Sequence, residues 1–446
     1  MSSFKPYLKV PALRLGHTHV PNLVEPRGFM FISTSDLGRR PVARCDALGS
    51  APFSEDAHIL NRPYLTDSHR KALERVKAWM IAANMSVRLD PVGNMIGRYE
   101  GLSPGAPALL IGSHIDTVND GGRYDGALGI MLGVEAVEAL ANKGKRLPFA
   151  IEVIAFGDEE GSRFPASMLC SRAIVEGIDP AQLKLSDERG VTLAEALSEF
   201  GLDPAEVAKA ARRPGEVLAY VEAHIEQGPV LEAENLPIGV VTGIAAQLRL
   251  KATFKGVAGH AGTSPMHLRR DAAAAAAEAV LAVERICRAG PPDLRGTVGR
   301  FRTGTMAYNV IAGEAEIGID LRAATNHVRD GAAEVIKSEL EAIAGARGVG
   351  IDFVVVQDLA ACPCDPRLIA VMSEAVAAVG VRPFELLSGA GHDALTVSAL
   401  APVAMLFIRC EGGISHNAAE KVNPADVDVA CRALIEFVER LGEVSL

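Results

Sequence analysis

Gly112-Ser-His-Ile-Asp-Thr-Val-Asn-Asp-Gly-Gly-Arg-Tyr-Asp-Gly-Ala-Leu-Gly129 follows the apolar run Ala108-Leu-Leu-Ile111 and leads into a helical pattern from Ile130. A strand ending in His-x-Asp, a glycine-rich turn and a second Asp before a helix is how an α/β sheet presents metal ligands at the carboxyl ends of its strands. His114 alone reads more readily as a polar loop residue, because isolated histidines usually have no ligand role. The acidic and histidine motifs further along the chain reverse that balance.

Downstream, Met131, Val134, Val137 and Leu140 mark one face of a helix, and the nearly continuous apolar stretch Ala150–Phe156 reads as a buried strand. It ends in Gly157-Asp-Glu-Glu-Gly-Ser-Arg-Phe164, which places a second acidic cluster at the same sheet edge as His114 and Asp125. Strand, helix and strand in that order predict a mostly parallel sheet covered by helices. A helical and loop region over 193–211 precedes another strand, Val217 to His224, which runs into Ile-Glu-Gln-Gly-Pro229. Upstream, residues 66–84 carry a helical pattern capped at Thr66, and 86–90 with 94–98 read as paired strands.

After Gly243 the texture changes. Residues 248–254 alternate apolar and polar, as a strand with one solvated face does. A glycine and histidine loop (256–265), a helix (270–286), strands (296–302 and 314–321), a helix (330–344) and a strand (351–356) follow. That β-α-β-β-α-β order predicts an inserted ferredoxin-like α+β domain. A helix over 367–379, a strand over 403–408 and a helix over 424–441 return to the first sheet. The expected division is an N-terminal extension of unassigned role (1–40), a catalytic domain in two parts (41–245 and 359–446) and a lid or dimerisation domain (246–358).

At 446 residues the chain is too long for one ordinary core. A net charge of −10, with no run of five or more Lys/Arg, argues against a nucleic-acid or anionic-membrane surface. Apolar stretches of membrane-spanning length are missing, as is a secretory signal pattern. The seven cysteines are scattered, and Cys362-Pro-Cys364 lacks redox spacing; reduced thiols in a cytoplasmic protein are expected.

Four separated segments therefore offer ligand-type residues at strand ends: His114 with Asp125, Glu159 with Glu160, His224, and Ser415-His-Asn417. Mixed histidine and carboxylate donors suit zinc or manganese, with cobalt or nickel as further candidates, better than calcium or magnesium. One shared carboxylate lets a site hold two cations about 3.5–4 Å apart. Taken alone, Arg322 reads as a surface arginine, Asp116 as either an orienting acceptor or a strand-end cap, and the acidic loop as a solvated face.

The opening stretch, Glu159-Glu-Gly-Ser-Arg-Phe164, Glu222-Ala-His-Ile-Glu-Gln-Gly-Pro229, Gly259-His-Ala-Gly-Thr-Ser-Pro-Met266 and Gly413-Ile-Ser-His-Asn417 together resemble the dimetal amidohydrolases related to aminoacylases and carboxypeptidases. Within them the chain is most similar to the branch holding allantoate amidohydrolase and N-carbamoyl-L-amino-acid hydrolase, from about Arg44 to the end. The resemblance implies two divalent metals per subunit, bridged by Asp125, with Glu160 and His416 completing one site and His114 and His224 the other. It further implies Asp116 as the partner orienting His114, Glu159 as general base, and Gln227, Gln247, His260, Asn309 and Arg322 as substrate-binding residues. Arg322 would grip a carboxylate, and His260 would reach the oxyanion across a homodimer interface formed by the inserted domain.

The implied reaction is hydrolysis of the carbamoyl C–N bond of a small ureido carboxylate. Allantoate leads, giving ureidoglycine, ammonia and carbon dioxide in purine catabolism. N-carbamoyl-L-amino acids (or a ureidopropionate) come next. A dipeptidase or aminoacylase, and a non-catalytic ureido-binding protein, are the more distant readings. Relatives also imply a cis Asp125–Gly126 peptide. Cys170 stands where the family often has glycine, which implies different local packing there.

Overall fold

The computed structural model describes residues 37–443, so most of the proposed N-terminal extension lies outside the described residues. Fifteen strands run in chain order: β1 (Ser86–Leu89), β2 (Met95–Tyr99), β3 (Ala108–His114), β4 (Ala150–Phe156), β5 (Val217–Ile225), β6 (Ile238–Ile244), β7 (Ala246–Lys255), β8 (Gly259–His260), β9 (Arg295–Thr303), β10 (Val310–Ile311), β11 (Glu314–Ala323), β12 (Gly350–Leu359), β13 (Cys362–Pro363), β14 (Glu385–Ser388) and β15 (Val403–Ile408).

The larger sheet has the order β1-β2-β4-β3-β5-β15-β6-β13, with β14 also on β6. Its centre, β4-β3-β5-β15, is parallel throughout, and β2 and β6 flank it antiparallel. Every residue of β3, β4 and β15 is buried, which is why these strands read as unbroken apolar runs. Helices Ala127–Asn142, Pro366–Ala378 and Pro424–Leu441 pack with it into one core. All four parallel strands end at one edge, and that edge carries His114, the Asp158–Glu160 turn and His224.

The second sheet, β12-β7-β11-β9, is wholly antiparallel. Along β11 burial alternates strictly. One face of the sheet packs on helices Ala272–Ala289 and Asn326–Ala346 in a separate core around Leu250, Phe254, Ile317 and Leu321. The opposite face carries the polar set Gln247, Arg249, Asp320 and Arg322. The first helix is capped by Asp271, whose carboxylate accepts the N–H of Ala273 at 3.0 Å, and the alanine run behind it suits helix by propensity.

Among the described residues no helix is long and apolar enough to cross a membrane. All seven cysteines are free and buried. Cys170 lies against Gly157 and Tyr64 behind the acidic turn, filling space that the expected glycine would leave.

Candidate metal centre

The turn after β3 is held by a residue that sequence reading missed. Arg62, 1% exposed, donates Nε to the Ile115 carbonyl at 2.6 Å and Nη1 to the Leu48 carbonyl at 2.8 Å, tying the loop beyond His114 to the end of helix Arg39–Leu48. Asp116 is fully buried. Its two carboxylate oxygens accept the backbone N–H groups of Glu159 and Glu160 at 3.1 and 3.2 Å, and Oδ1 lies 3.4 Å from His114 Nδ1. The closer partner of His114 Nδ1 is the Asp116 carbonyl, at 3.1 Å. Asp116 thus ties the two strand-end motifs to each other as well as setting the imidazole.

Asp125 sits where the motifs converge. Its Oδ1 is 3.1 Å from His224 Nε2 and 3.6 Å from His114 Nε2, and its Oδ2 is 3.2 Å from His416 Nε2. Gln227 and Ser415 also donate to Oδ2, at 3.1 and 3.0 Å. The Asp125–Gly126 peptide is trans, correcting the cis expectation; the cis bond among the described residues is Ala51–Pro52. A left-handed glycine does the placing instead. Gly126 has φ +65, helix Ala127–Asn142 starts directly after it, and a Cβ there would stand 2.4 Å from the His114 carbonyl oxygen and 2.5 Å from its ring.

Two donor sets, His114–Asp125–His224 and Asp125–Glu160–His416, each bring their ligand atoms within 4.8 Å of one another, and both contain Asp125. His114–Glu159–Glu160 and Glu222–His224–His392 satisfy the same spacing. Burial pushes Glu160 up to about 7, and Glu159 well above the ordinary carboxylate range with Glu160 and Asp393 adding to it. Asp125 Oδ1 is buried and, although two imidazole nitrogens face it, makes no hydrogen bond. Crowded carboxylates that resist ionisation, an unused carboxylate oxygen and three converging imidazoles fit a pair of divalent cations, which would take the place of protons.

Two more residues bear on this centre. His392, 2% exposed, stacks edge-on against His224 with centroids 4.6 Å apart, and its Nε2 meets Ser388 Oγ at 2.8 Å. Glu420, 5% exposed, accepts the backbone N–H groups of Tyr124 and Asp125 at 2.8 and 3.1 Å. Its carboxylate occupies the space that a Cβ at Gly122 would need, with the carboxyl carbon 2.0 Å away. Nothing in a lone Glu four residues after His416 announces this; only the tertiary return of that loop does. Glu420→Ala is expected to weaken divalent-metal binding by about 10–100-fold, as losing outer support of a ligand does, and Glu420→Gln, which keeps an acceptor, to recover most of it. Chelator competition on the folded variants measures both.

The centre opens into a cleft of about 240 Å³ between the two sheets. Gln227, Gln247 and Arg322 line it as expected, together with Arg249, Gln357 and Met168, which sequence reading did not single out. Asp320 organises the side of the cleft formed by the second sheet: it accepts Arg322 Nε at 2.7 Å and Nη2 at 2.9 Å, Arg249 Nε at 2.9 Å and Gln247 Nε2 at 3.0 Å. Arg322 Nη1 crosses to the Gly389 carbonyl of the larger unit. His260 and Asn309 are not brought here. They sit together at the short β8–β10 pair, His260 in β8 and Asn309 just before β10, exposed and outside the cleft lining.

Ligand-type side chains gathered at the carboxyl ends of parallel strands, under a second antiparallel sheet, define an α/β protein built around a candidate metal centre. The chain belongs to peptidase family M20/M25/M40, whose family model matches residues 110–440. It is 40% identical to an N-carbamoyl-L-amino acid amidohydrolase of Geobacillus stearothermophilus, over 86% of this chain and 94% of that one. It is 38% identical to allantoate deiminase 1 of Glycine max, over 93% and 94%. Among solved structures it is similar to AtUAH in complex with glyoxylate, with a TM-score of 0.75 and 33% identity over 92% of this chain and 100% of that one.

Proposed function

We propose that the protein is a dinuclear metal amidohydrolase that cleaves the carbamoyl C–N bond of a small ureido carboxylate, with allantoate the leading substrate and N-carbamoyl-L-amino acids the alternative. The observation that carries this reading is Asp125, shared by two donor sets, with Glu159 beside them in the same cleft. Both substrate classes appear in the names of relatives that align over nearly their whole length. AtUAH was solved with two small carboxylic ligands, glyoxylate and (S)-hydroxyglycine.

In this reading His114, Asp125, Glu160, His224 and His416 hold two divalent metals, zinc or manganese by the donor mix. Bound there, the cations supply Lewis acidity for water activation and carbonyl polarisation. Glu159, beside the donor sets in the same cleft, takes the proton of the attacking water and returns it to the leaving nitrogen. Addition of water across the carbamoyl C–N bond of allantoate yields ureidoglycine and carbamate, which falls to ammonia and carbon dioxide. Arg322, fixed by Asp320, directs its remaining N–H groups to the substrate carboxylate, with Gln247 alongside. Gln227, bonded to the Asp125 carboxylate, acts on the bridging ligand at least as much as on substrate.

The test is ammonia release by metal-reconstituted enzyme from allantoate, from N-carbamoyl-L-amino acids and, as free amino acids, from a dipeptide. Turnover of the ureido acids well above the dipeptide is expected, and dipeptide preference would overturn the reading.

We take residues 246–358 as a lid and dimerisation domain. His260 and Asn309 lie outside their own cleft, on a surface where Met306 and Tyr308 are fully exposed, which suits delivery to a second subunit's site. Mixing Glu159→Gln with His260→Ala subunits should then restore activity that neither has alone, and failure to do so would remove His260 from this role. Buried free thiols throughout suit the cytoplasm, and allantoate turnover would place the enzyme in purine catabolism.

A further inference from the structure

We propose that Arg249 and Gln357 form a second recognition site on the lid sheet, one that reads a ureido arm of the substrate distinct from the one cleaved. The inference rests on the ureido-carboxylate reading above. It begins with an irregularity in β12, whose pairing with β7 runs Val354↔Lys251 and Val355↔Leu250, then resumes at Gln357↔Arg249 and Leu359↔Gln247. Val356 is the extra residue.

Without it, Val356 would stand opposite Arg249, and Gln357 would face the core side beside Leu248. The bulge exchanges them, so that Gln357 joins Gln247, Arg249, Asp320 and Arg322 on the face that lines the cleft. Bulges re-aim side chains in this way beside binding sites. Directly opposite residues on adjacent strands have Cβ atoms about 4.5–5.5 Å apart, so the Arg249 and Gln357 side chains are neighbours.

Their polar atoms are unspent. Gln357 Oε1 is buried and has no hydrogen-bond partner. Among the described residues Arg249 commits only Nε, to Asp320, and its two terminal nitrogens make no hydrogen bond. Arg322, by contrast, spends one N–H on each of Nε, Nη1 and Nη2, leaving one on each terminal nitrogen. The pair thus offers donors from Arg249 and an acceptor from Gln357 side by side in the cleft.

A ureido group is the complement, with a carbonyl to take the Arg249 N–H groups and an N–H to give Gln357 Oε1. A carboxylate satisfies Arg249 but has no N–H to give Gln357, whose amide must then turn to donate. A hydrocarbon side chain leaves both polar groups desolvated and unpaired, which is the costly outcome. Met168 and Leu359, also in the lining, are where such a chain would go. The site therefore favours a substrate with two ureido arms over an N-carbamoyl amino acid with an apolar side chain.

The experiment compares wild type with Gln357→Leu and Gln357→Ala, which leave the Asp320 network with Arg249 and Arg322 untouched, on allantoate, which carries a second ureido arm, and on N-carbamoylglycine, which has none. Each variant is expected to lose about 10–100-fold in kcat/KM for allantoate, mainly through KM, and under about 3-fold for N-carbamoylglycine. A circular-dichroism melt and metal content confirm that each variant is folded and loaded. Equal losses on both substrates, or none on either, overturn this inference while leaving the ureido activity standing. A wild type that hydrolyses neither ureido acid overturns the reading it rests on, and this inference with it.

Discussion

Glu159→Gln is expected to keep both cations and its fold yet turn over ureido substrates roughly 10³-fold more slowly, within the range that a positioned acid–base group contributes. The substitution is nearly isosteric and removes one thing, the capacity to take and return a proton. Asp125, Glu160 and three histidines can hold metal without Glu159, so metal content measured by mass spectrometry should stay at the wild-type value. The Glu159 backbone N–H, bonded to Asp116 at 3.1 Å, is untouched by the change. Metal loss in parallel with activity would instead make Glu159 a ligand, as the His114–Glu159–Glu160 grouping allows. Wild-type activity would remove the mechanism.

Asp125→Asn should empty both metal positions together, leaving activity at the level of a chelator-treated control. Two sites that share one ligand cannot lose it singly. Oδ1 faces His114 and His224 while Oδ2 faces His416, so an amide must turn its NH₂ toward one set or the other. That side then presents a donor where a cation needs an acceptor, and the other side loses the negative charge that offsets the cations in a buried cleft. The weakening should exceed about 100-fold, the upper range for losing a mere outer partner. Chelator competition and metal content after gel filtration measure it, with circular dichroism to verify the fold. Retention of one cation per chain would show that Asp125 serves a single site.

The candidate ligands His114, Glu160 and His224 were legible in sequence because each lies at or just after the end of a strand that announces itself. β3, β4 and β5 are apolar runs, and a polar residue directly after such a run must lie at the sheet edge. His416 has no strand beside it and was readable only through the family motif. Glu420 and Arg62 act through backbone groups of loops distant in sequence, where no spacing rule applies.

β6 was missed because its buried, glycine-broken run IGVVTGI lacks alternation. The helix over 326–346 starts a turn earlier than the apolar pattern implied, because Thr325 caps it, its hydroxyl accepting the Val328 N–H at 3.3 Å. The bulge in β12 is invisible to periodicity, since a single inserted residue merely reads as the end of the alternation. The trans peptide at Asp125 shows the opposite failing: a backbone feature carried over from relatives did not transfer, although the side chain it was meant to aim arrived where expected.

Asp320 bears on how this enzyme can change. Gln247, Arg249 and Arg322 all rest on its carboxylate, so altering any one of them redistributes the charge and hydrogen bonds of the other two. Substitutions at these three positions should combine non-additively. A search for new substrates that mutates them one at a time would meet mostly losses, whereas libraries that vary the trio together with Asp320 can cross to a different, equally self-consistent arrangement.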